Sequence, residues 1–149
     1  MAAVDSVHPD SAEALLMELI PHAPNLGVYV DPHIPAKLLH NAIADYAPEM
    51  ASRKMFVLLD LTLLKNAKDG ALFGPDMMVF QNNDLEQPQI VAYRDIVGAQ
   101  RKRGFFTTKL ILSVNSGRAT FETALNFPSG TKTYRFFQRF LEAVQLMPG

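Results

Sequence analysis

The sequence predicts an α+β fold, mainly β: about seven short antiparallel strands packed against one C-terminal α-helix, with an N-terminal helical extension. Three observations carry this reading. Between residues 55 and 125, apolar residues recur in short runs, several with a period of two, separated by Gly, Asn, Asp and Pro. From residue 134 the period changes to that of a helix. Before residue 50, two helical patterns each end at a proline. The division expected is a helical extension over residues 1–50 and a β-rich domain over 51–149.

The first helix can be capped by Asp10 or Ser11, with Glu13 early in the helix where its dipole favours negative charge. Leu15, Leu16, Leu19 and Ile20 form its apolar face, and Pro21 ends it. Residues 21–35 hold four prolines and a glycine around Val28, Tyr29 and Val30, and read as a linker or arm. Pro35 is placed for a helical first turn, and Leu38, Leu39, Ala42, Ile43 and Tyr46 repeat at helical spacing up to Pro48.

Residues 55–63 are a dense apolar run, as in a strand buried on both faces, and residues 65–70 supply turn chemistry. Residues 71–73 and 77–81 continue as hairpins, and residues 89–93 and 96–103 are two further extended segments. In residues 109–114, Leu110, Leu112 and Val114 alternate with Lys109, Ile111 and Ser113. Asn115, Ser116 and Gly117 then close a hairpin onto residues 118–125. The final helix follows a breaker at residues 127–130, with Thr131 or Thr133 as its cap. Tyr134, Phe137, Leu141 and Val144 form its stripe, which Phe136 and Phe140 broaden.

At 149 residues, 48% hydrophobic and 19% charged, the chain has the size and composition of one globular core. It has no cysteine, which excludes disulfides, thiolate metal sites and cysteine nucleophiles and fits a reducing compartment. An acidic start followed by a short apolar run is the wrong order for a secretory signal. No apolar stretch approaches the roughly 20 residues that span a bilayer. The expectation is a soluble, cytoplasmic protein. Its net charge of −1 divides unevenly: residues 1–50 hold seven acidic groups and one basic, the remainder eight and thirteen. Either the acidic segment lies against the basic body or the body has an anionic partner, and intramolecular pairing is the simpler alternative.

Residues 60–80 begin Asp-Leu-Thr and pass through Ala-Lys-Asp-Gly into the next strand, and residues 90–96 read Ile-Val-Ala-Tyr-Arg-Asp-Ile. These segments resemble the first hairpin and the Tyr-x-Asp-Ile segment of bacterial pleckstrin-homology-like (PH-like) domains. The resemblance covers residues 52–147. It implies a half-open antiparallel β-barrel capped by the C-terminal helix, and a non-enzymatic binding platform with no cofactor. Phosphoinositide-binding members of the wider superfamily use a basic cradle at the start of the sheet. Here that loop offers Lys65 and Lys68 with no Arg pair after them.

The sharpest candidate site is residues 100–106, Gln-Arg-Lys-Arg-Gly-Phe-Phe. Arg101, Lys102 and Arg103 can engage phosphates or a carboxylate-rich partner, with Phe105 or Phe106 inserting beside them. The plainer alternative is a solvated strand end leading into a turn at Gly104, with both phenylalanines buried. A net charge of −1 and a pI of 6.4 argue against nucleic acid. His8, His22, His33 and His40 match no compact ligand pair on one helix face, so no metal is expected. Ser113, Ser116 and Ser129 lack a nucleophile-elbow context, Asp60, Asp69 and Asp76 read as turn residues, and Asp60 with Lys68 is placed to stitch the first hairpin. The seven methionines fill the core more simply than they line an adaptable groove. The function expected is a protein-interaction module, with an anionic membrane-surface adaptor using Lys65, Lys68 and the triple cation, or a protein that masks its partner through the acidic extension, as alternatives. Docking is expected at the turn over residues 101–106 or in the groove between the last helix and its neighbouring strand.

Overall fold

The computed structural model describes residues 11–147. His8 and Asp10 lie outside them. Helix α1 (Ala12–Leu19) starts at Ser11, whose side-chain oxygen accepts from the Ala14 amide at 3.1 Å. Eight strands follow rather than seven. Residues 21–35, expected to be a linker, contribute strand β1 (Val28–Val30), which pairs antiparallel with β2 (Val57–Asp60), Val28 facing Leu59 and Val30 facing Val57. Helix α2 (Ala36–Tyr46) lies between them in sequence, with Pro35 at its N-cap rather than inside its first turn.

The strands form two antiparallel sheets. One holds β1, β2, β3 (Gly70–Phe73), β4 (Met77–Gln81) and β5 (Gln89–Ala92) in sequence order. The other holds β6 (Ile96–Arg103), β7 (Thr107–Asn115) and β8 (Thr120–Pro128), again in order. Ladder pairing stops between β5 and β6 and does not join β8 to β1, so the strands do not close into a barrel. A 3-10 turn (Tyr93–Asp95) carries the chain from one sheet to the other, and the buried Tyr93 hydroxyl donates to the Gly74 carbonyl at 2.8 Å. The tyrosine of the Tyr-x-Asp-Ile segment thus anchors the crossing.

Both faces of the central strands β2 to β4 are buried, which explains why residues 57–60 are apolar without alternation. Val57, Leu59, Phe73, Met78 and Phe80 face the second sheet and helix α3 (Tyr134–Val144) in one cluster. Leu58, Leu72 and Val79 face the other way, under Ala42, Tyr46 and Met50. The expected strand over residues 55–63 ends early because the Asp60 carboxylate turns back on Thr62, accepting from its amide at 2.9 Å and its hydroxyl at 2.6 Å. Asp60 therefore bonds to Thr62 instead of Lys68. Gly70 sits at φ 143°, and a Cβ there would lie 1.9 Å from the Leu59 carbonyl oxygen, so only glycine lets β3 pair this closely with β2.

Helix α3 fills the space between the sheets. Phe137 stacks on Phe73 and Phe127 with ring centroids 5.1 and 6.0 Å apart, and Phe140 meets Phe73 and Tyr93 edge-on. Thr133 occupies the N-cap without a side-chain capping bond, while the Thr131 hydroxyl donates to the Pro128 carbonyl. Leu15, Leu16 and Ile20 of the α1 segment join the same cluster, so the N-terminal elements share their core with the β-rich part. Met50, Met55 and Met78 are buried as core filling.

Candidate functional site

Strand geometry divides the three consecutive cations. Arg101 pairs across the ladder with Leu110 and Arg103 with Thr108, so both point to the α3 side, whereas Lys102 faces Lys109 on the opposite side. Arg101 leans onto the helix: its guanidinium donates to the Tyr134 hydroxyl at 2.8 Å and lies 5.7 Å from that ring's centre. Hydrogen bonding from Arg135 and then Arg101 lowers the Tyr134 pKa below the usual phenol value. All three cations are exposed, but Arg101 is engaged with α3, leaving Lys102 and Arg103 without a side-chain hydrogen bond or ion pair to a described residue.

The reading that buries the two phenylalanines is overturned. Phe105 and Phe106 are 89% and 79% exposed at the tip of the β6–β7 hairpin, packed edge-to-face with centroids 4.8 Å apart. Leu63 and Leu64, in the loop between β2 and β3, are 98% and 84% exposed. The two tips share one end of the molecule. The Phe106 carbonyl accepts from the Ser129 amide at 3.1 Å, and a cavity of about 220 Å3 is lined by Leu63, Lys65, Phe127, Pro128 and Thr131. The loop from β8 to α3 therefore runs between them. Lys65 joins this end. Lys68 does not: its carbonyl lies 3.5 Å from the Gln81 amide nitrogen, at an acidic corner.

At that corner Asp45, Asp69 and Asp84 place their carboxylate oxygens within 4.8 Å of one another, the group of three among the described residues that could share a cation. The buried Gln81 amide donates to Asp45 and Asp69, each at 3.0 Å. Desolvation pushes the Asp69 carboxyl up, the Gln81 hydrogen bond opposes it, and the Asp84 and Asp45 charges add to the rise. The Tyr46 phenol beneath α2 is pushed up by burial and then by Asp60, Asp69 and Asp45. Sequence spacing gave no sign of this corner, because its members come from α2, the β2–β3 loop and the segment after β4. It also gave none of the His22–His33 pair, whose ring centroids are 5.2 Å apart, with His22 Nδ1 accepting from the Val30 amide.

Residues 96–147 contain eight basic and two acidic side chains, and none of the eight forms an ion pair with a described residue. The three ion pairs that do form, Arg53–Asp76, Lys54–Asp31 and Arg94–Asp95, involve only residues before β6. Among the described residues, the acidic N-terminal elements therefore form no ion pair with the cations of the second sheet and α3.

The geometry defines an α+β protein of two antiparallel sheets bridged by a C-terminal helix, with one end that is cationic and studded with exposed apolar side chains. No helix among the described residues is long and apolar enough to cross a membrane. No family model, curated protein or solved structure matches the chain.

Proposed function

We propose that this chain is a non-enzymatic interaction module of PH-like plan that docks on an anionic partner protein through the end formed by the β6–β7 hairpin, the β2–β3 loop and the start of α3. The observation that carries the reading is the excess of cations over residues 96–147 that form no ion pair with a described residue, beside two phenylalanines held in solvent. Arg is enriched at protein-interface hot spots and aromatic side chains including Phe at interfaces, and long-range attraction speeds the encounter with an acidic partner. The PH-like assignment is supported by the order of five strands, three strands and a terminal helix packed between the sheets, and by the structural duties of Gly70 and Tyr93 in the segments that carry the resemblance.

A second reading, docking on an anionic membrane surface, is favoured by one further observation: Leu63 and Leu64 project at the same end as Phe105 and Phe106. Apolar tips backed by Lys65 and Arg103 suit the boundary between headgroups and acyl chains. One pair of experiments tests both. Lys102→Glu with Arg103→Glu, leaving Arg101 on Tyr134, weakens capture of the native protein partner without lowering the melting temperature; unchanged capture removes this end from the docking surface. Flotation with phosphatidylserine vesicles reports the second reading, where binding is lost as salt rises and on Leu63→Ser with Leu64→Ser. Failure to float at low salt excludes it.

A further inference from the structure

Between the β6–β7 hairpin and the first turn of α3 lies a cavity of about 330 Å3 whose wall brings together Arg103, Lys132 and Arg135 with the hydroxyl-bearing Thr108, Ser129 and Thr131. None of the three cations is ion-paired to a described residue. The two acidic residues of this half, Glu122 and Glu142, are not among its lining. Thr108 is the informative member. It is only 4% exposed, it sits on the inner face of β7 opposite Arg103, and its hydroxyl makes no hydrogen bond to a described residue. That hydroxyl is not among the fully enclosed unpartnered groups, which are the Tyr46 hydroxyl and Asn126 Oδ1, so it opens onto the cavity that Thr108 lines. Tyr134 also lines the cavity, and its hydroxyl accepts from Arg101. Helix α3, eleven residues long, starts at the same wall and adds the positive end of its dipole.

We infer that this cavity is a binding site for a phosphate monoester. Three cations suit a dianion better than a single carboxylate, and hydroxyls from β7 and from the β8–α3 loop suit the several acceptor oxygens of a tetrahedral group better than a planar one. The site deepens the docking proposal, since it lies at the same end, and rests on it only for biological meaning. The phosphate can be a soluble monoester or the headgroup of a lipid such as phosphatidic acid.

The test is titration of the full chain with inorganic phosphate and with phosphoserine, followed by backbone amide shifts in NMR. Saturable shifts confined to residues 103–108 and 129–135 are expected. Arg103→Gln with Lys132→Gln lowers the affinity at least tenfold, and Thr108→Val lowers it severalfold with the melting temperature unchanged. That second variant reads a hydrogen bond that general positive charge would not provide. Shifts that do not saturate, or that fall equally on Lys109 and Arg118, show a diffuse ion atmosphere and overturn the site, as does an unaltered affinity in Thr108→Val. Vesicles of phosphatidylcholine with phosphatidic acid, against the same vesicles with phosphatidylserine, distinguish the sources: selective binding that inorganic phosphate displaces assigns the headgroup, while phosphate binding without vesicle binding assigns a soluble monoester. If phosphate fails to bind yet Lys102→Glu with Arg103→Glu still weakens partner capture, the cavity inference falls and the docking reading stands; the reverse pattern separates them the other way.

Discussion

Two phenylalanines with the same side chain should differ in stability effect by about an order of magnitude, because one joins the two sheets and the other stands in water. Phe137 is fully buried, stacked between Phe73 and Phe127, and its neighbours belong to strands held in place by their own ladders. Such walls relax little around a hole, so Phe137→Ala falls in the upper part of the range for buried aromatics, about 4–5 kcal/mol. Each lost aromatic pair contributes about 0.5–1.5 kcal/mol of that beyond its buried area. A domain of this size loses about 2–4 °C of melting temperature per kcal/mol, so the expected drop is about 10–15 °C. Phe105→Ala removes a ring that is 89% exposed and should shift stability by no more than about 0.5 kcal/mol. The chain has four tyrosines and no tryptophan, so urea unfolding is followed by circular dichroism with tyrosine fluorescence as a second probe. Equal costs for the two substitutions, or a cost below about 1 kcal/mol for Phe137→Ala, would refute the placement of α3 between the sheets.

Other expectations concern titration. Tyr134 is held below the ordinary phenol value by Arg135 and Arg101, while Tyr46 and Tyr93 are pushed above it by burial. In an absorbance titration of the phenolates, Arg135→Gln and Arg101→Gln should each move the earliest phase toward higher pH, and a phase that stays in place contradicts these contacts. The Asp69 carboxyl is raised in the fold, so the native chain binds its proton more tightly than the unfolded one. Its contribution to stability is therefore greatest when protonated and declines as pH rises from the ordinary value of 3.8 through the raised one. Asp69→Asn should flatten the dependence of unfolding free energy on pH across that window; an unchanged slope shows that the Asp45, Asp69 and Asp84 charges do not interact.

Period and punctuation made most of the fold legible. The strands from β3 to β7 and the stripe of α3 fall close to where alternation and helical spacing placed them, because each has one clear inner face or strong turn residues at its ends. Strand β8 instead continues through Pro128 into the expected breaker, because Phe127 and Pro128 pair with Thr108 and Thr107. Strand β1 was not legible. Three residues among prolines carry no period, and they are a strand only because β2 offers an edge 27 residues later. Nor does any local pattern announce that α2 covers the outer face of the first sheet, although the unbroken apolar run of β2 is its trace. In the candidate site, a period of two already implied that Arg101 and Arg103 point one way and Lys102 the other. For Phe105 and Phe106 the sequence offered both exposure beside the cations and burial, since hydrophobicity alone favours the core, and the hairpin tip decides for exposure. The acidic corner and the cavity at Thr108 are assembled from segments far apart in the chain, and only the tertiary structure places them together.

Every described strand pairs with a neighbour in sequence, yet the piece that unites the two sheets, helix α3, follows all of them in the chain. While a nascent chain still lacks residues 134–144, the ladders can form but Phe73, Tyr93 and Phe127 have nothing to rest on. Premature termination anywhere before Tyr134 would thus release a chain with a greasy, uncovered interior, the kind of species that aggregates or recruits chaperones.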